Sequence, residues 1–296
     1  MNYLGSHPSA ASISLILPVF NEERVIEKSI KRLLAYLKGK GWDFELIFVE
    51  DGCTDNTISI VDRYGLNESC IKIINIPHRL GKGGSIKFAA LNCTLKDYVA
   101  YMDSDLAADP SELEKLLNNI EDHDVVLGSR ILRGNLPPIQ RPVYRTVFSN
   151  LYSKLFRVLF RIPIYDPQCG LKLFRREIIS KLLTNVTVLG FAFDTDLIVE
   201  AYAQDLRVKE VPINWAHGKF STVRVFDEIR EMGLDVLSIW YSCHLLWKQN
   251  KKVYPQKKGS IAGQILFTIL SLSNEIKKRP TKYPEIKSPL STVNKS

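Results

Sequence analysis

The sequence predicts an α/β fold, a mostly parallel sheet flanked by helices. Three observations predict it. Short apolar runs alternate with helical-period stretches from about residue 13 to about residue 214. Several of those runs end in polar, acid-rich turns that open a helix, which is where an α/β sheet gathers its ligands. With 296 residues, 45% of them hydrophobic, the chain is also long enough to bury a sizeable core.

Taken in order, the strand candidates are 12–18, 44–50, 71–76, 98–102 and 125–127. The helices between them begin near Glu22, Asp55, Lys82 and Pro110. Asp109-Pro110 reads as an N-cap followed by a proline in the first helical turn. After Gly134 the texture changes to a proline-containing loop, 135–142, and then a helix over 144–161 rich in large apolar side chains. Arg145, Lys154, Arg157 and Arg161 punctuate that helix. A second such segment, 229–247, carries Trp240, Tyr241 and Trp247 and runs into Lys248, Lys251 and Lys252. Apolar faces with aromatic and basic borders suit helices that lie in a membrane interface, although a single amphipathic helix more often packs on a core. Two of them, with a basic tail that includes Lys277, Lys278, Arg279, Lys282 and Lys287, favour the membrane. The expected division is an N-terminal tail over 1–11, a catalytic domain over 12–225, an amphipathic membrane-associating segment over 226–280 and a basic tail over 281–296.

Forty Lys and Arg against 32 Asp and Glu leave a net charge of +8, which favours anionic partners without choosing among nucleic acid, phosphorylated substrates and an acidic membrane. The five cysteines form no CxxC pair, so neither a zinc site nor a disulfide framework is indicated, and a reducing setting fits. Residues 1–11 lack the pattern of a secretory signal, and no apolar run approaches the roughly 20 residues needed to span a bilayer. The expectation is a peripheral protein on the cytoplasmic side of a membrane.

The sharpest local feature is YMDSD at 101–105, a buried strand ending in Asp103 and Asp105 one residue apart around Ser104. Paired hard oxygen donors at a strand end can hold Mg²⁺ or Mn²⁺ against a diphosphate. An isolated pair of this kind more often caps the next helix. Its company shifts the balance: LPVFNEE at 17–23 and VEDGCTDNT at 49–57 lie at the ends of two earlier strands and point at the same crevice. The Gly81-Lys82-Gly83-Gly84 loop opens a helix, so its amides and Lys82 can approach donor phosphates, and it lacks the Walker spacing. Negative charge at Asp51, Asp103 and Asp105 argues against a nucleic-acid partner. The single histidines, among them His217, have no metal-ligand spacing.

These segments, in this order, resemble family 2 glycosyltransferases of the GT-A fold, a Rossmann-like sheet. HRLGKGGSIKFAAL (78–91), DPQCGLKLFRRE (166–177), GFAFDTDLIVEA (190–201) and VPINW (211–215) narrow the likeness to dolichyl-phosphate glucosyltransferases and, less closely, dolichyl-phosphate mannose synthases. The resemblance spans about 13–221. It implies that Asp51 contacts the base, that Pro18 and Glu22 line the nucleoside pocket with Asn21 beside them, and that Asp103 and Asp105 are the metal pair. Pro18 and Asn21 also suit turns, and Glu22 a helix start. Arg130, Arg141 and Arg145 lie on or beside the loop after the fifth strand, where a planar guanidinium can grip a phosphate. In the mannose-synthase relatives an Arg-x-x-x-Ser element helps hold the lipid phosphate, and Arg145 with Ser149 match that spacing; a solvated helix face accounts for them equally. Asp194 and Asp196 fall where relatives keep an acidic residue beside the reacting centre. Because a phosphate acceptor is already ionised, Asp196 is expected to position groups or shape the field, and Asp194 alternatively to cap a helix. Gln168 and Lys172 are expected to shape the same crevice, with a buried structural role the alternative for Gln168.

Two departures stand out. Mannose synthases follow the DxD two residues later with a metal-assisting glutamine, where this chain has Ala107. The glucosyltransferases commonly begin with a membrane helix that this sequence does not show. The implied activity is inverting transfer of a hexose, from UDP-glucose first and GDP-mannose next, to dolichyl or another polyprenyl phosphate. Transfer to a saccharide or lipid hydroxyl is the enzymatic alternative, and a basic binding module the non-enzymatic one.

Overall fold

The computed structural model describes residues 11–76, 78–132, 143–216 and 232–243. Seven strands form one sheet in the order β3-β2-β1-β4-β6-β5-β7. In chain order the elements are β1 (Ser12–Val19), α1 (Ile26–Lys40), β2 (Asp43–Glu50), α2 (Thr57–Gly65), β3 (Ile71–Asn75), α3 (Gly81–Asn92) and β4 (Tyr98–Tyr101). There follow α4 (Glu112–Ile120), β5 (Val125–Ser129), α5 (Val143–Phe160), β6 (Lys172–Arg175), α6 (Arg176–Asn185), α7 (Phe193–Ala203) and β7 (Val208–Pro212). All five predicted strands form, within a residue or two.

The apolar runs of β1 and β2 are nearly continuous because the sheet is covered on both sides, as parallel sheets are. Successive residues serve opposite cores: Ile13, Leu15 and Leu17 join Leu33 and Leu37 of α1 and Leu116 of α4, while Ile16 joins Ile86 of α3 and Leu197 of α7. Each fully buried Leu or Ile contributes about 1.5–3 kcal/mol relative to exposure. On the second face Gly83 is required by contact: a Cβ there would overlap the Phe193 ring, so α3 and α7 meet without a side chain between them.

β6 was not among the predicted strands, and it gives the sheet its mixed character. It runs antiparallel to both β4 and β5, whereas β5 pairs parallel with β7. Its signal in sequence is four residues, too short for a period to show. The reversal matters for function, because the segment entering β6 arrives at the edge where β1, β2, β4 and β5 end.

Asp109 is not the N-cap of α4, which is Ser111; two residues earlier, its Oδ1 accepts from Ser111 N at 2.9 Å and Ser111 Oγ at 2.6 Å and closes the turn that leads into the helix. The helix predicted over 144–161 corresponds to α5. Of the segment predicted over 229–247, residues 232–243 are helical, with Val236 and Ile239 buried in the second core. The loop over 135–142 with Arg141, the segment around His217 and the tail from 244 onward lie outside the described residues. Among the described residues no helix is long and apolar enough to cross a membrane.

Candidate active site

The carboxyl edge of the sheet is built from two cross-braced turns. Asn21, just past β1, has a left-handed backbone (φ 55°), which asparagine tolerates better than most residues. Its Oδ1 accepts from Thr54 N at 2.8 Å, and its Nδ2 donates to Thr54 Oγ1 at 3.2 Å. Glu22 N donates to Thr57 Oγ1 at 2.8 Å, and Glu23 and Asn56 bond across the same gap. Asn21 thus ties the β1 turn to the β2 turn. Pro18 sits in β1 opposite Val49.

Asp51 is buried and accepts Leu80 N at 2.6 Å on Oδ1 and Gly81 N at 2.9 Å on Oδ2, so it holds the entry to α3. Each carboxylate oxygen keeps a second lone pair for a ligand donor. Burial raises its pKa, and the two amides offset this only in part. Arg79 lies over the Phe20 ring, 3.9 Å from its centroid, with Nε 3.9 Å from Asp51 Oδ2.

Beyond β4, Ser104 is buried, and Asp105 Oδ1 accepts Ala107 N at 3.0 Å across Leu106, whose φ is 51°. Ala107 O in turn accepts Ala216 N at 2.7 Å, and Ala108 bridges to Trp215. Position 107 therefore anchors the segment that follows β7. Asp103 pairs with Lys82, Nζ to Oδ1 at 2.7 Å. Glu22 lies within electrostatic reach of both aspartates: burial first, then Asp105, Asp103 and Asp55, push it up to about 7. Carboxylates that repel one another at a strand end suit a hard divalent cation, so the donor set fits Mg²⁺ or Mn²⁺. Among the described residues no group of three His, Cys, Asp or Glu is arranged to hold a metal ion.

Behind Asp103 lies a fully buried charge network that the sequence reading only partly anticipated. Lys172 Nζ donates to Asp194 Oδ1 and to Cys169 O, both at 2.6 Å, and Tyr101 Oη donates to the same Asp194 oxygen at 2.6 Å. Burial alone would raise the Asp194 carboxyl; Lys172, Lys82 and the hydrogen bonds outweigh it and hold it below the usual range. Lys82 is raised despite burial because Asp103 and Asp194 both stabilise its charge. Lys82 thus lies between Asp103 and the buried network.

Asp196 is not brought into this group. Its Oδ2 accepts Thr187 N at 2.8 Å and Val188 N at 3.0 Å, so it braces the segment before α7. Burial raises it against those amides. Of the two acidic residues, Asp194 is the one whose charge acts on Lys82, the ion-pair partner of Asp103.

Arg130, read as a phosphate fork, is instead committed. Its Nε and Nη2 each donate to Asp166 at 2.8 Å, its backbone N adds a third bond at 2.8 Å, and its guanidinium lies 5.5 Å from the Trp215 ring centroid. Asp166 opens the DPQCG segment, and its role needed the fold to be seen. Ser149 is half-buried on α5. Arg145 falls in the first turn of α5, but its side chain lies outside the described residues. Gln168 Nε2 donates to Tyr152 Oη and Thr195 Oγ1, both at 3.3 Å, joining α5 to α7 as a structural residue.

The outer side of α5 is apolar and exposed: Val147, Phe148, Leu151, Leu155 and Val158 form a stripe, with Val158 70% exposed. Exposed Lys154 and Arg161 border it.

Residues 14–183 match the family described as Glycosyl transferase family 2. Among curated relatives, Glycosyltransferase AglD of Haloferax volcanii is 31% identical over 275 residues, covering 90% of this chain and 43% of that protein. The chain therefore spans less than half the length of that relative. Dolichyl-phosphate beta-glucosyltransferase ALG5D of Trichomonas vaginalis is 30% identical over 77% of this chain and 72% of its own. Dolichyl-phosphate beta-glucosyltransferase of Saccharomyces cerevisiae is 28% identical over 81% and 78%. Among solved structures, glucosyl-3-phosphoglycerate synthase of M. tuberculosis aligns with a TM-score of 0.59 at 22% identity, over 78% of this chain and 81% of that one. A likeness at that identity speaks for the fold alone, a mostly parallel sheet of the GT-A kind. The chain belongs to glycosyl transferase family 2.

Proposed function

We propose that this glycosyltransferase transfers a hexose from a nucleotide sugar to the phosphate of a polyprenol such as dolichyl phosphate, with UDP-glucose the favoured donor and GDP-mannose next. The observation that carries the reading is the exposed apolar stripe of α5, which begins beside the expected acceptor residues Arg145 and Ser149. A phosphate on a long lipid must be met at a membrane surface, and an apolar helix face with basic borders is built for that surface. The relatives named dolichyl-phosphate beta-glucosyltransferase, at 28–30% identity, support the acceptor.

In this reading Phe20, Asp51 and Arg79 receive the base, and Lys82 faces the diphosphate. Asp103 and Asp105 would hold Mg²⁺ or Mn²⁺, which neutralises charge on the departing diphosphate. A phosphate oxygen of the acceptor attacks the anomeric carbon as the bond to the diphosphate breaks, and the nucleoside diphosphate leaves with the electron pair. Configuration inverts, giving a β-linked lipid phosphosugar from an α-linked donor. No proton need be removed from the acceptor, which accords with Asp194 being tied up as a buried ion-pair partner and Asp196 bracing backbone. Arg130, held by Asp166, contributes fixed positive charge and not a free fork. Catalysis then rests on positioning and electrostatics.

The test is transfer of labelled sugar from UDP-glucose, GDP-mannose and a small donor panel to a polyprenyl phosphate, with Mg²⁺ or Mn²⁺ and with chelator. An acid-labile, metal-dependent lipid product is expected. Products formed only on saccharide or other hydroxyl acceptors, or with retained configuration, would refute the proposal.

A further inference from the structure

The two groups that a donor diphosphate must meet, an ammonium and a metal-binding carboxylate, are bonded to each other. Lys82 Nζ is 2.7 Å from Asp103 Oδ1. On its far side Asp103 is backed by Gly170, so closely that a Cβ at 170 would overlap both carboxylate oxygens. The carboxylate is therefore confined between a backbone wall and an ammonium. Lys82 has an alternative anionic neighbour in Asp194, whose carboxylate is a principal source of the field that stabilises its charge.

We propose that Lys82 acts as a placeholder cation: it competes with the divalent metal for Asp103, and the donor diphosphate draws it off, so that metal and nucleotide bind as a coupled pair. The inference rests on the donor site proposed above. Charge accounting supports it. A metal arriving alone must displace a +1 charge from the carboxylate it needs. A metal arriving with a diphosphate meets a ligand that offers Lys82 a stronger partner, since a phosphate carries more charge and more acceptor oxygens than one carboxylate. The coupling is reciprocal, so the nucleotide also binds more tightly with metal present. The arrangement would keep the crevice from taking up metal unproductively and favour the complete donor.

The test measures binding, not turnover. Mn²⁺ affinity of the full chain is read by electron paramagnetic resonance of free Mn²⁺, with and without saturating UDP, for the wild type, Lys82→Met and Asp103→Asn. The wild type is expected to bind Mn²⁺ at least about tenfold more tightly with UDP, within the range of ordinary coupling. Lys82→Met is expected to tighten Mn²⁺ binding without UDP about tenfold while changing it little with UDP, so that the coupling collapses. Asp103→Asn should weaken Mn²⁺ in both conditions. Equal tightening with and without UDP would mean a simple change of net charge and would overturn the proposal, as would no tightening at all. If Lys82→Met does not fold, Lys82→Gln provides the same comparison with a polar, neutral side chain. Folded wild type that binds neither UDP nor GDP, with or without Mn²⁺, would overturn the donor site itself, a result distinct from binding without coupling.

Discussion

Gly170 lies directly against the Asp103 carboxylate: an added Cβ would stand 2.5 Å from Cγ and 2.8 Å from Oδ1. No side chain fits there without moving the group expected to bind the metal. Gly170→Ala should therefore lower kcat/KM at least tenfold, a loss of about 1.4 kcal/mol of transition-state binding. Circular dichroism should show the fold retained. An unchanged kcat/KM would mean that Asp103 moves without consequence.

The acidic pair near α7 should separate into two roles. Asp194→Asn leaves Lys172, fully buried, without its counterion, and should reduce both Tm and turnover. Asp196→Asn weakens only the bonds to Thr187 and Val188, and should speed hydrogen exchange in that segment while sparing turnover. The reverse pattern would restore Asp196 to the reacting centre.

Arg130 and Asp166 predict an acid-sensitive step in stability. Burial alone would raise the Asp166 carboxyl, but Arg130 holds it below the usual range. A depressed carboxyl stabilises the fold above its unfolded value of about 3.9, and the contribution is lost as pH falls through the lower folded value. Asp166→Ala, which strands a buried guanidinium, should cost about 3–5 kcal/mol near neutral pH. Its denaturation midpoint should also respond less to acid than the wild type's in the range below about pH 4.

The proposed membrane contact can be tested without touching the crevice. Leu151→Glu with Val158→Glu, both on the exposed stripe of α5, should lower binding to anionic phospholipid vesicles more than tenfold and leave Tm within a degree or two. Leu66→Glu, 88% exposed at the end of α2, is the matched control and should change neither. Equal vesicle binding by all three would place the contact elsewhere.

Much of this fold was legible because its signals are local. The runs of β1, β2 and β4 and the turns at their ends carry their own periodicity and capping chemistry, so the acidic strand ends were found where they lie. What escaped was what only pairing creates. β6 is four residues long and reads as a strand only beside β4 and β5. Tyr101 is simply part of a buried strand in the sequence, and only the fold brings its hydroxyl to Asp194, 93 positions away. Arg130 suited a phosphate in every local respect, and only the fold shows Asp166 already there. Asp194 and Asp196 share one helical turn, and spacing could not say which faces the DxD.

The reversed strand β6 has one more consequence. It enters from the ligand edge, bringing Gly170 and Lys172 there, and leaves at the opposite edge, where Arg175 and Arg176 bond the carbonyls of Ile120, Glu121 and Leu95. The turns at 66–70, 121–124 and 204–207 share the side of the sheet remote from the DxD. Of these, the turn at 66–70, where Leu66 is 88% exposed, is the place to splice in an affinity tag or a fluorophore, because a reporter there stands a full strand length away from Asp103 and Asp105.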